Sequence, residues 1–178
     1  ILVNSKGEMI WENSFGGSGI DQAKAVIKDF SGNYKIIGNS FSQDKDISSP
    51  KGSSDIWLIT IDKFGNLINE NSFGGSDFDL GMALVESFDK SIFIIGHSRS
   101  SDIDFTYNAG ENDIVLLHIT PGGELIETFS LGGDNDDIGN DIIQTSKGEI
   151  VIAGETRSQS NYFSNSKGDV DIVISMWR

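Results

Sequence analysis

The sequence predicts an all-β repeat protein. Three observations predict it: a segment that recurs at a fixed spacing, four short apolar runs in each recurrence, and turns built from Gly, Asn, Asp and Ser. Ser14–Ser18 reads SFGGS, Ser72–Ser76 repeats it and Ser130–Asp134 reads SLGGD, each 58 residues after the last (72 − 14 = 130 − 72 = 58). Gly7, Gly65 and Gly123 keep the same offset, as do Asp21, Asp79 and Asp137, Gly38, Gly96 and Gly154, and Asp55, Asp113 and Asp171. The chain therefore reads as one repeat domain, 1–178. Its units fall at about 1–58, 59–116 and 117–174, and 175–178 belong to the end of the last strand.

The strand candidates of the first unit, A to D in chain order, are Gln22–Lys28, Asn33–Ser40, Asp55–Asp62 and Asn66–Phe73. Strand B carries consecutive apolar residues (Ile36 and Ile37, Ile94 and Ile95, Ile152 and Ala153), and strand C longer apolar runs from Ile56 and Ile114, so both sheet faces have to be covered. Strand D is interrupted by Asn69, Glu70, Asn71 and Ser72, the pattern of a partly solvated edge. Gly32 and Gly65 sit where the A–B and C–D hairpin turns need them. The B-to-C connection, Phe41 to Ser54, is long and rich in Ser, Asp, Gly and Lys. In an up-and-down meander it emerges at the same end as the D-to-A linker with Gly16-Gly17-Ser18. No apolar stripe of period 3.6 runs for ten residues between these turns, which excludes an amphipathic helical reading.

Each unit is thus expected to be a four-stranded antiparallel blade of a β-propeller, with a β-solenoid as the alternative repeat architecture, against which the hairpin turns argue. Rings of blades typically need about 4–8, more than three units supply. Two solutions follow: a piece of a longer propeller, or half of a six-bladed pair of chains in which the first D strand, near Met9 to Phe15, completes the partner's third blade. The start in mid-strand favours the longer chain.

Composition narrows the function classes. A formal net charge of −14 repels phosphate backbones, so nucleic acid is not an expected partner. The absence of Cys removes disulfides, thiolate catalysis and Cys-based zinc sites, and there is no apolar run of about 18 residues to cross a membrane as a helix. No initiator Met or signal segment opens the chain, so a cut or processed N-terminus is expected.

The pattern Gly16-Gly17-Ser18, Asp21, Ile36-Ile37-Gly38, Asp44 with Asp46, Asp55-Ile56-Trp57 and Gly65-Asn66 resembles the units of bacterial surface and secreted proteins with tandem propeller-type repeats. The resemblance spans essentially the whole chain. It departs where Val115 and Val173 replace Trp57, and where Ser160 and Tyr162 replace the paired aspartates. It implies the propeller fold and an extracellular or cell-surface setting; activity does not follow from fold.

Of candidate chemistry, catalysis is the least visible. The only histidines, His97 and His118, fall in different strands, with no nucleophile–base pattern around them. Asp44, Asp46, Ser48 and Asp55 occupy positions 1, 3, 5 and 12 of a loop, as do Asp102, Asp104, Thr106 and Asp113. Calcium loops use that spacing because alternate side chains converge on one cation, so Ca2+ is the candidate cofactor. Against it, position 6 is Ser49 or Tyr107 rather than Gly, and the third repeat keeps only Asp171. Asp21, Asp79, Asp137 and Asp171 read as caps of local backbone turns. Tyr107, Tyr162 and Phe163 lie in the long loops, where an exposed aromatic ring can stack on a sugar or meet a protein partner. The expected function is a non-enzymatic binding or scaffolding module whose long loops recognise a glycan or a protein. A carbohydrate-active hydrolase or lyase with acidic residues on that face, and a structural spacer in a larger surface protein, are the alternatives.

Overall fold

The computed structural model describes residues 1–178 and contains thirteen strands and no α-helix. A small hairpin of β1 (Leu2–Val3) and β2 (Met9–Trp11) comes first. Three meanders follow. The first sheet holds β3 (Asp21–Lys28), β4 (Tyr34–Ser40), β5 (Asp55–Ile61) and β6 (Leu67–Phe73). The second holds β7 (Asp79–Glu86), β8 (Ile92–Ser98), β9 (Asp113–Ile119) and β10 (Leu125–Leu131). The third holds β11 (Asp137–Gln144), β12 (Ile150–Thr156) and β13 (Asp171–Trp177). Within each sheet, chain neighbours pair antiparallel, and no sheet closes into a barrel. Strand limits read from the first repeat's sequence lie within one residue of those observed. The expected strand Met9 to Phe15 stops at Trp11.

The sheets stack face to face. β7 packs against β3, β4 and β5, and β11 against β7, β8 and β9. Each sheet therefore has a front face toward the preceding sheet and a back face toward the next. Ile37, Ile56 and Leu58 on the back of the first sheet meet Leu84, Ile94, Val115 and Leu117 on the front of the second. Ile95, Ile114 and Leu116 then meet Ile142, Ile152 and Val173. Fully burying each such side chain contributes about 1.5–3 kcal/mol. β9 lies between two sheets and is buried on both faces; β5 is too, but its front residues Trp57 and Ile59 are covered by Ile47, Phe15 and Ile36, whereas β13 alternates, since nothing packs on its back face.

The glycine shared by β4, β8 and β12 has a local cause. The first strand of every sheet bulges at the same place, Ala23/Ala25, Gly81/Ala83 and Gly139/Asp141. The bulge pushes a carbonyl toward the neighbouring strand, so a Cβ built on Gly96 would collide with the Leu80 carbonyl oxygen and sit 3.0 Å from the Gly81 Cα.

Candidate functional site

The long B-to-C loops and the Gly-Gly linkers meet at one end of the stack, tied together by carboxylates, two of them (Asp79 and Asp137) buried and one (Asp21) partly exposed. Asp21 accepts the Gly17 amide (2.7 Å) and the hydroxyls of Ser40 (2.6 Å) and Ser42 (2.8 Å). Asp79 repeats the set with Gly75 (2.6 Å), Ser98 and Ser100 (2.9 Å), and Asp137 with Gly133 (2.7 Å), Thr156 and Ser158 (2.8 Å). One carboxylate thus joins three segments: the linker, the end of the second strand and the start of the long loop. These hydroxyls were not singled out from the sequence, although a hydroxyl residue stands 19 and 21 positions after each aspartate.

The aspartates read as calcium ligands go mainly to backbone amides. Asp44 accepts the Ser18 amide (2.7 Å) and Asp46 that of Gly16 (3.0 Å); Asp102 and Asp104 do the same for Ser76 (2.8 Å) and Gly74 (2.9 Å). In the third repeat the Ser160 hydroxyl takes over for Asp134 (3.1 Å). Ser48 turns away and donates to Glu70, and Thr106 is exposed. Asp55 accepts the Lys51 amide (2.8 Å), Asp113 that of Ala109 (2.8 Å) and Asp171 that of Gly168 (3.2 Å). No group of three or more His, Cys, Asp or Glu side chains is gathered to hold a metal ion.

Carboxylates instead come together in pairs along the seams between sheets. A Cβ on Gly74 would lie 2.5 Å from Asp55 Oδ1 and 2.7 Å from Asp79 Oδ2, so the two acids flank one glycine. Asp113 and Asp137 stand at the equivalent seam, and all four are buried. Asp55 Oδ1 and Asp113 Oδ1 have no hydrogen-bond partner. Burial, with the Asp137 charge adding to it, pushes the Asp113 carboxyl up to about 6, and burial with the Asp79 charge raises Asp55. The pairs are sealed from any substrate.

The sign for stability follows from linkage. A folded-state value near 6 above an ordinary 3.8 means that Asp113 contributes stability fully present below the ordinary value and lost as pH rises through 6. Burial holds His97 down at about 4, which acts in the opposite direction between its ordinary value of 6.5 and 4, so the pH profile of the parent alone mixes the two. Asp113→Asn separates them, because both proteins contain His97. The variant is expected to match the parent near pH 4 and to be more stable by about 1–3 kcal/mol at pH 7.5, read from denaturant melts at both pH values.

His118 stacks on Phe93 (ring centroids 4.3 Å apart) and contacts Glu127 Oε1 at 3.3 Å. Of the three loop aromatics, Tyr107 is 51% and Tyr162 67% exposed. Phe163 differs: half-buried, it packs on the apolar cluster of the third sheet. Tyr162 and Phe163 share a short 3-10 turn, Asn161–Phe163, beside a hollow of about 700 Å³ also lined by Lys167, Val170, Ile172 and Ile174. Compared with protein-family models and with curated proteins, the chain matches none.

Proposed function

We propose that the three meanders are blades of a β-propeller-type scaffold, secreted or held at a bacterial cell surface, whose long loops bind a glycan or a protein. The propeller reading is supported by antiparallel pairing of chain neighbours and by first strands that pack on the adjacent sheet while β6 and β10 lie at sheet edges. The observation that carries the binding role is the exposure of Tyr107 and Tyr162 on loops whose backbones are otherwise clamped. Around Tyr107, Asn108 Nδ2 donates to the Ser98 carbonyl (2.9 Å) and the Ala109 amide to Asp113 (2.8 Å). Before Tyr162, Ser160 receives the Asp134 amide. Rings presented on an already ordered backbone cost little conformational entropy on binding.

A glycan array and a pull-down from surface extracts, run on the parent and on Tyr107→Ala with Tyr162→Ala, test this. The double variant is expected to fold as the parent does and to bind roughly tenfold more weakly or worse. Unchanged binding by the double variant, or no binding by the folded parent in both assays, would sink the assignment.

A further inference from the structure

The back face of the third sheet is left open, and the front face of the first is open at Ile20, Ala23 and Val26, although Trp57 and Ile59 on that face are buried against Phe15, Ile36 and Ile47. Ile172 and Ile174 are 85% and 72% exposed, while their equivalents 58 residues earlier, Ile114 and Leu116, are 1% and 2% exposed. Val26, equivalent to the buried Leu84 and Ile142, is 61% exposed on the front of the first sheet. We propose that a second copy of this chain covers both: its first sheet packs on this chain's third, and reciprocally, closing two chains into a ring of six sheets. Six lies within the range of about 4–8 in which such rings close.

What identifies the occupant is that residues facing each other across a seam change together, and the third-to-first junction continues the matching. At the first seam Gly81 approaches Ile56 and Ile37, where a Cβ would lie 2.8 and 3.0 Å away, and at the second Gly139 approaches Ile95 (2.7 Å). At the proposed seam the glycine position is Ala23, and the Ile37/Ile95 position is Ala153. The extra methyl arrives where the large side chain has gone.

Charge follows the same rule. Lys51 of the first sheet's long loop pairs with Asp104 of the second's. The equivalent positions at the second seam, Ala109 and Tyr162, have lost both charges, and at the proposed seam Lys167 and Asp46 carry both again. A third pair sits where the third strand of one sheet starts beside the first strand of the next. Ser54 bridges Phe78 there, and Asn112 donates to Asp136 (2.5 Å). The positions at the proposed seam are Val170 and Ile20, both apolar and both exposed. One contact does not carry over: Glu86 and Gln144 accept the amides of Phe30 and Phe88, and Lys28 at that position has no acceptor.

Light scattering of the eluting protein is expected to give twice the 19.3 kDa of one chain. Ala153 and Ala23 are exposed, so changing them leaves the fold of each chain intact. Ala153→Ile restores the bulky residue of the other seams against the Ala23 methyl and is expected to weaken association roughly tenfold or more. Adding Ala23→Gly rebuilds the Gly–Ile pairing and is expected to restore the dimer. A parent that is monomeric across micromolar concentrations, masses that grow beyond two chains, or a second change that fails to rescue the first would each overturn the proposal.

Discussion

Replacing Gly96 by alanine is expected to destabilise the fold by about 2–4 kcal/mol, a drop of roughly 10 °C in melting temperature for a chain of this size. The cost is steric and local. Gly96 sits in the central strand β8 facing the bulge of β7, where a Cβ would collide with the Leu80 carbonyl oxygen, and the bulge is itself held by packing of Gly81 on Ile56 and Ile37. Neither side can yield without opening the apolar cluster between the first two sheets. Gly148 is the control. Its φ of +88° disfavours a side chain, yet nothing lies within 4 Å of a Cβ built there, so Gly148→Ala is expected to cost only about 1 kcal/mol. Thermal melts of the two variants side by side separate a blocked volume from a strained backbone. Equal costs would mean that the bulge is soft and the repeated glycine has another cause.

How much could be read beforehand differs between backbone and side chains. The 58-residue recurrence and the doubly apolar runs around Ile36–Ile37 and Ile56–Ile59 made the meander legible, because burial on both faces leaves a signal in every repeat. Gly38, Gly96 and Gly154 were visible as landmarks, but their reason was not, since the bulge in the partner strand has no composition of its own. The loop aspartates were visible as a spacing that fits calcium loops. What they do depends on where the Gly16–Ser18 amides point, a tertiary fact, and those amides donate to Asp46, Asp21 and Asp44. The hydroxyl set around each carboxylate was missed for a different reason: Ser98 and Ser100 are ordinary residues at a strand end, and only their constant offset from Asp79 marks them.

Asp79→Ala is expected to cost about 3–5 kcal/mol, the other large effect in the molecule, whereas the same change at Asp21 is expected to cost about 1 kcal/mol. The two carboxylates accept matching bonds: a linker amide and two serine hydroxyls. They differ in surroundings. Asp79 is wholly buried between the first and second sheets, while Asp21 is partly exposed on the open front of the first. Truncating Asp79 leaves the Gly75 amide and the Ser98 and Ser100 hydroxyls without a partner where water does not reach; at Asp21 solvent replaces the lost acceptor. The titration behaviour shows the same contrast. Burial outweighs the Ser98, Gly75 and Ser100 bonds and raises Asp79, whereas at Asp21 burial also pushes upward but the Ser40, Gly17 and Ser42 bonds win and hold the group below its ordinary value. Asp79→Asn tests which part matters. An amide keeps an oxygen for Gly75, turns its nitrogen toward Ser98, which still has a lone pair free beside the Ser100 amide it accepts, and removes a charge that burial penalises. It is therefore expected to retain stability within about 1 kcal/mol of the parent at neutral pH. Urea melts of the Ala and Asn variants at both positions give the comparison, and an Asn variant at 79 as unstable as the Ala variant would show that the charge itself, not the hydrogen-bonded junction, holds the linker to the long loop.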